Sequence, residues 1–239
     1  MRLDKYLADL HIGSRSEVKE KIRQGLVKVN GQVVKDPGSA VSAADTVECG
    51  GAELSYREHF YYMLNKPAGL LSATEDARQQ TVLDLFPKEL RKGLSPVGRL
   101  DKDTVGLLLL TDDGKLAHRL LSPAHHVDKT YLVRTDAAIV PEDAECFAGG
   151  MSLSDGTRLQ PAVLEIDAED PRQARITIRE GKYHQIKRMF AARGKEVVGL
   201  KRLSMGGLKL DPALPEGAWR ELTEEELSLL ERSYIREKD

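Results

Sequence analysis

Gly98-Arg99-Leu100-Asp101-Lys102-Asp103-Thr104-Val105-Gly106-Leu107-Leu108-Leu109-Leu110-Thr111-Asp112-Asp113-Gly114 is the most informative stretch of this 239-residue chain. A polar loop carrying an arginine, two aspartates and a threonine runs directly into an apolar strand. Asp112-Asp113-Gly114 then makes a turn, with an aspartate placed to N-cap the helix that follows from Lys115 to Leu121. Such a loop holds a carboxylate at the mouth of a core element, where burial and a nearby cation control its charge. On local sequence alone, Asp101 reads equally well as an ordinary turn or N-cap residue.

Outward from this stretch the pattern is strand-rich. Phe60-Tyr61-Tyr62-Met63-Leu64-Asn65 reads as a strand ended by the turn Lys66-Pro67-Ala68-Gly69, and a short helix is expected from Val82 to Phe86. Further strands are expected at Tyr131 to Thr135, Ala162 to Ile166 and Ala174 to Arg179. They are not separated by regular crossover helices, so residues 58–239 are expected to form a mixed, largely antiparallel sheet domain, and the chain is α+β.

Residues 1–57 read as a separate small module. Leu3, Tyr6, Leu7 and Leu10 share one helical face. Gly13 stops that helix, and Ser14 or Ser16 caps a second one from Glu17 to Gln24. Two short strands then flank the Asn30-Gly31 turn, and one more is expected around Val41 and Val47 before a linker over 50–59. Basic residues gather on the second helix and the following turn: Arg15, Lys19, Lys21, Arg23 and Lys28.

Charged residues at 31% and apolar residues at 41% suit a globular chain rather than a disordered one. The longest apolar run, Leu107 to Leu110, falls far short of the ~20 residues of a membrane span. The segment from Met1 lacks the apolar core of a signal peptide, so a cytoplasmic protein without a membrane partner is expected. Cys49 and Cys146 show no metal-ligand or redox spacing and are expected to be unpaired and buried. The net charge of −2 conceals a gradient: eleven basic residues between Pro171 and Leu210 face only Glu180 and Glu196, while nine acidic residues follow from Asp211 onward. A local basic field is what a polyanion meets.

Several blocks resemble known families. Leu3-Asp4-Lys5-Tyr6-Leu7, Gly13-Ser14-Arg15-Ser16, Ile22-Arg23-Gln24-Gly25 and Val27-Lys28-Val29-Asn30-Gly31 resemble the S4 RNA-binding domain in order and spacing. The stretch around Asp101 is similar to the catalytic-loop signature of pseudouridine synthases of the RsuA/RluA type. Ser122-Pro123-Ala124-His125-His126-Val127-Asp128-Lys129-Thr130-Tyr131 resembles the second motif of that family, and Glu180-Gly181-Lys182-Tyr183-His184-Gln185-Ile186-Lys187-Arg188-Met189-Phe190 the third. The wording is nearest to members acting on small-subunit (16S) ribosomal RNA, with large-subunit (23S) members close behind.

The resemblance implies that the S4 helix and the Val-Asn-Gly loop dock on structured RNA through Arg15, Lys19, Arg23 and Lys28. It implies Asp101 as the catalytic carboxylate, Tyr131 as the contact to the target base, and Lys187 as the cation paired with Asp101, with Arg188 the close alternative. Arg99, Thr104, Arg188 and Leu203 are expected at the substrate, Leu203 as an apolar wall. A carboxylate in an apolar pocket tends to lose its charge, which the lysine would offset; removing the cation of this buried pair is expected to cost about 3–5 kcal/mol, so that Lys187→Met damages both folding and activity. The isomerisation implied neither oxidises nor transfers a group, so no cofactor and no metal are expected, in keeping with the lack of a dinucleotide or phosphate-cradling glycine motif. The expected partner is ribosomal RNA or a small-subunit assembly intermediate, and a monomer is expected. Two other readings stand beside this one. A non-catalytic ribosomal-RNA-binding or assembly protein would need none of Asp101, Tyr131 and Lys187. A Mg²⁺-dependent nuclease would use Asp101 with Asp103.

Overall fold

The computed structural model describes residues 1–42, 44–54 and 56–234. It contains two compact units: Met1–Phe60 with Phe86–Lys92, and Tyr61–Leu85 with Gly93–Asp239.

In the first unit, helices α1 (Leu3–Asp9) and α2 (Arg15–Arg23) precede strands β1 (Val27–Val29), β2 (Gln32–Val33), β3 (Val47–Cys49) and β4 (Ala52–Leu54). Ser14 caps α2: its hydroxyl accepts from the Glu17 amide while the Glu17 carboxylate accepts from the Ser14 amide. This reciprocal cap satisfies two end-group donors and starts the helix at Arg15, two residues before the sequence reading placed it. Asn30 and Gly31 both take positive φ (51° and 77°), the twist a two-residue hairpin needs. The Asn30 side chain donates to Asp45 and accepts from the Thr46 amide, which ties the turn to β3. The strands pair antiparallel in the order β2-β1-β3-β4. Residues 52–54, read as linker, are thus an edge strand, joined to β3 through Gly50-Gly51 (φ 62° and 86°). Leu3, Tyr6, Leu7, Val18, Ile22, Val27, Val41 and Val47 form the core, and α1 turns its predicted apolar face into it.

The second unit is built on β5 (Tyr61–Lys66), β6 (Ser95–Pro96), β7 (Val105–Thr111), α3 (Gly114–Leu121), β8 (Lys129–Thr135), α4 (Pro141–Ala148), β9 (Met151–Ser152) and β10 (Arg158–Leu159). It continues with β11 (Val163–Ile166), β12 (Gln173–Ile178), α5 (Gln185–Ala191), β13 (Val197–Met205), β14 (Leu208–Lys209), β15 (Trp219–Glu221) and α6 (Glu224–Arg232). The main sheet runs β11-β12-β8-β13-β7-β5-β15, with β14 on β13 and β6 on β7. All of its pairs are antiparallel except β13 with β7. The α+β class and the mixed sheet expected from the sequence are what the structure has. The four-leucine run of β7 is buried on both faces, which explains why it shows no alternation. Asp113 caps α3 as expected, accepting from the amides of Lys115 and Leu116.

The acidic segment after Asp211 acquires a structural role. Thr223 and Glu226 form a reciprocal cap on α6, whose first turn carries Glu224, Glu225 and Glu226 against the positive end of the helix dipole. Leu230 of α6 is fully buried in the cluster containing Met63, Leu107, Leu109, Met205 and Leu208. The last acidic residues, Glu237 and Asp239, lie outside the described residues. Cys49 and Cys146 are free thiols, half-buried rather than buried.

Asp143 anchors α4. Its fully buried side chain accepts from the Val140 amide (2.9 Å) and pairs with Arg193 and Lys195, both at 2.8 Å. Burial pushes this carboxyl up, but Lys195, the Val140 amide and Arg193 outweigh it and hold it below its ordinary value. A depressed folded-state pKa gives stability that is present above the unfolded value of about 3.9. That stability is lost as pH falls through the folded value. Asp143→Asn is therefore expected to cost about 3 kcal/mol at pH 7. It should also reduce the loss of stability between pH 7 and pH 3 in urea melts. An unchanged difference between the two pH values would contradict the assignment.

Candidate active site

The loop before β7 is fastened from two sides. Lys66 ends β5, fully buried, and its ammonium donates to the carbonyl oxygens of Pro67 and Thr104 (3.0 Å each) and of Asp101 and Lys102 (3.3 Å each). Burial pushes this ammonium down to about 8, against the pull of Asp103 and Asp101. On the other side, the buried Ser72 hydroxyl donates to the Leu100 carbonyl (2.9 Å) and accepts from the Leu100 amide (3.0 Å). The Gly69 amide donates to Lys102 O and the Thr104 amide to Asp101 O. The backbone carrying Asp101 is thus fixed by partners up to 38 residues away in sequence.

Asp101, Arg99, Thr104, Tyr131 and Lys187 line one cleft, together with Leu200. Tyr131 is 7% exposed and Thr104 2% exposed; the Thr104 hydroxyl has no hydrogen-bond partner among the described residues. Lys187, on α5, lies 3.4 Å from Asp101 Oδ2 and 2.5 Å from Asp103 Oδ1. Its hydrogen bond is the main reason the Asp103 carboxyl sits below its ordinary value. The pair is not buried: the side chains of Lys187, Asp101 and Asp103 are 24%, 29% and 72% exposed. The cost of about 3–5 kcal/mol for breaking a buried pair therefore does not apply.

Two expected residues are placed elsewhere. Arg188 is one step along α5 from Lys187, a turn of about 100°, and its guanidinium meets Asp155, Thr157 and the Tyr183 carbonyl. Leu203 lies three residues after Leu200 on β13, and an odd step reverses the face of a strand. It falls where the register with β8 shifts, beside Thr130, Lys201 and Leu210. The apolar position at the cleft is Leu200 instead. In the first unit Arg15, Lys19 and Arg23 follow one another at four-residue spacing along one side of α2, with Arg15 and Arg23 exposed. Lys19 lies 4.0 Å from Asp4, and Lys28 on β1 lies 3.7 Å from Glu48.

Sequence reasoning missed Lys66, and it read His184 as a polar residue bordering an RNA surface without placing it beside Asp101. Lys66 reads as one residue of a Lys-Pro-Ala-Gly turn; the available signal was a lysine closing a largely apolar strand. His184 takes a left-handed backbone (φ 47°), stacks on Tyr183 with ring centroids 3.8 Å apart, and brings Nε2 to 3.5 Å from Asp101 Oδ1. Chemically, the cleft presents a carboxylate on a rigid loop, a cation 3.4 Å from it, and an aromatic face beside them. That set can attack or stabilise an electron-poor carbon of a planar substrate.

Comparison with known proteins identifies the family. Residues 60–192 match the family model described as RNA pseudouridylate synthase, and residues 1–47 match the S4 domain. The chain is 54% identical over 235 residues to an uncharacterized RNA pseudouridine synthase, YtzG, of Bacillus subtilis, covering 96% of this chain and 98% of that protein. It is 43% identical over 231 residues to the ribosomal small subunit pseudouridine synthase A of Escherichia coli, covering 95% and 99%. A crystal structure of a pseudouridylate synthase superposes with a TM-score of 0.69 at 41% identity, over 96% of this chain and 99% of that one. Among the described residues no helix is long and apolar enough to cross a membrane. The chain therefore belongs to the RNA pseudouridine synthases of the RsuA type, isomerases that carry an S4 RNA-binding domain ahead of the catalytic fold.

Proposed function

We propose that the chain converts a uridine of 16S ribosomal RNA to pseudouridine, with residues 1–57 docking on the RNA and residues 58–239 performing the chemistry. The observation that carries the reading is the convergence of Asp101, Tyr131 and Lys187 on one cleft, with the Asp101 backbone held by Lys66 and Ser72. The reaction breaks the N1–C1′ bond and forms C5–C1′; C5 gives up its proton and N1 takes one up. Asp101 is the ionised group that labilises the glycosidic bond. Lys187 is its ion-pair partner at 3.4 Å, and Tyr131 presents its ring to the extruded uracil. Arg99 and the unpaired Thr104 hydroxyl contact the nucleotide. Arg15, Lys19, Arg23 and Lys28 meet phosphates elsewhere on the RNA. The named small-subunit relative favours 16S over 23S RNA.

The test is tritium release from RNA labelled at uracil C5, using 16S RNA free and in an assembly intermediate, with 23S RNA as the comparison. Release from a small-subunit form alone supports the reading. Release from 23S RNA alone moves the target to the large subunit, and release from none leaves a binding protein.

Lys187→Met is expected to change stability by no more than about 1 kcal/mol, because the ion pairs it makes are partly solvated. Conversion should fall on the order of 10²–10³-fold, the scale of removing one preorganised electrostatic partner. Thermal melts and single-turnover rates check both; native activity in this variant would remove Lys187 from the proposal.

A further inference from the structure

Beside the Asp101 cleft, and sharing Arg99, Tyr131 and Lys182 with it, lies a cavity of about 540 Å³. Lys129 and Arg202 line it and are 8% and 2% exposed. Lys129 precedes Tyr131 by two residues on β8, and Arg202 of β13 stands directly opposite Tyr131 in the register, so all three project from one face of the sheet. Arg202 Nε donates to the Leu107 carbonyl at 2.6 Å, while its Nη2 is buried and has no hydrogen-bond partner. Lys129 donates to the Val127 carbonyl at 2.9 Å.

Neither cation has a carboxylate within ion-pair distance among the described residues. The neighbouring Asp128 binds Arg179 at 2.8 Å. Glu180, the one acidic residue in the lining, accepts from the Gln160 amide and the Gln185 side chain. Burial and the Arg202 charge push the Lys129 ammonium down to about 8. Two buried like charges with open donors are costly to keep unless an anion completes them. A guanidinium and an ammonium lining one cavity fit phosphate oxygens.

We propose that this cavity is a phosphate subsite, in which the Arg202 guanidinium and the Lys129 ammonium hold non-bridging oxygens of one phosphodiester of the RNA strand beside the uridine presented to Asp101. The inference rests on the function proposed above and adds a residue pair to it: the clamp fixes the backbone on one side of Tyr131 while the base lies on the other. Neither Lys129 nor Arg202 need touch the reacting atoms.

Lys129→Gln is the variant of choice, because its amide can still donate to Val127 O, whereas Arg202 also supports Leu107. Circular dichroism and thermal melts of the full chain establish that it folds. Inorganic phosphate, followed by ³¹P line broadening, is expected to bind wild type and not the variant. RNA affinity should fall about tenfold, the effect of one charge-assisted hydrogen bond. The slope of log K against log salt should shrink by about 0.7–0.9, one phosphate contact. Replacing single phosphodiesters of the RNA by neutral methylphosphonates should weaken wild type at one linkage and leave the variant indifferent there. An unchanged slope with equal methylphosphonate penalties in both proteins overturns the subsite. Loss of inorganic phosphate binding with no change in RNA binding overturns it too, by assigning the cavity to a free phosphate. If uridine conversion fails while the Lys129-dependent RNA contact persists, the subsite stands and the proposed reaction falls; conversion without that contact gives the converse.

Discussion

Asp101→Asn is expected to abolish conversion while leaving a folded, RNA-binding protein. The substitution keeps the shape of the side chain and removes its charge. The backbone of the loop is held through carbonyls and amides, by Lys66, Ser72 and Gly69, and none of these contacts involves the Asp101 carboxylate. Its partners are Lys187 at 3.4 Å and His184 at 3.5 Å, on a side chain 29% exposed. Lys187 retains Asp103 as a counter-ion. Stability should therefore change by less than about 1 kcal/mol. The single-turnover rate should drop on the order of 10⁴-fold, the scale seen when an essential carboxylate is removed from a preorganised site. Asp103→Asn is the control. Asp103 makes the shorter contact to Lys187, yet it is 72% exposed and lies outside the cleft lining, so its loss should cost about tenfold or less. Tritium release under single-turnover conditions separates the two. An Asp101→Asn rate within tenfold of wild type would remove the carboxylate from the chemistry.

Gly106→Ala should be the most damaging single methyl addition in the catalytic unit. Gly106 has φ +98°, and a Cβ there would lie 2.3 Å from the Arg202 carbonyl oxygen and 2.8 Å from the Arg202 nitrogen. Both are backbone atoms of β13 at the parallel junction where Arg202 pairs with Gly106, so nothing flexible can move aside. The strands must part, and with them go the bond from Arg202 to Leu107 and the neighbouring end of the Asp101 loop. A loss of about 4 kcal/mol or more is expected. For a protein of this size that lowers Tm by roughly 8–16 °C. Gly69→Ala isolates the backbone term. Its φ is +91°, yet a Cβ there meets nothing within 4 Å, so only about 1–2 kcal/mol should be lost. Equal losses in the two variants would mean that close approach of β7 and β13 contributes nothing.

Much of the molecule was legible in the chain because neighbours in sequence carry the information. The apolar face of α1, the Asn30-Gly31 turn, the Asp113 cap and the apolar run of β7 each depend on residues a few positions apart. The motif blocks around Asp101, Tyr131 and Lys187 were legible for the same reason. The small edge strand at residues 52–54 was missed because three residues after a glycine pair carry no periodicity.

What the sequence by itself determined is the local hydrogen-bonding and hydrophobic preference of each segment, and through its motifs the family. The tertiary structure alone decided which side chains meet. Strand β13 mixes Gly199, Lys201 and Arg202 with its apolar residues, so it did not read as a strand, yet it lies at the centre of the sheet. Its register brings Leu200, not Leu203, to the cleft, and its parallel pairing with β7 demands a glycine at position 106. The rotation of α5 selects Lys187 over Arg188 for Asp101, and Lys66 reaches four carbonyls as far as 38 residues away. Contacts of this kind are fixed by packing between segments that are distant in sequence, and no local preference encodes them.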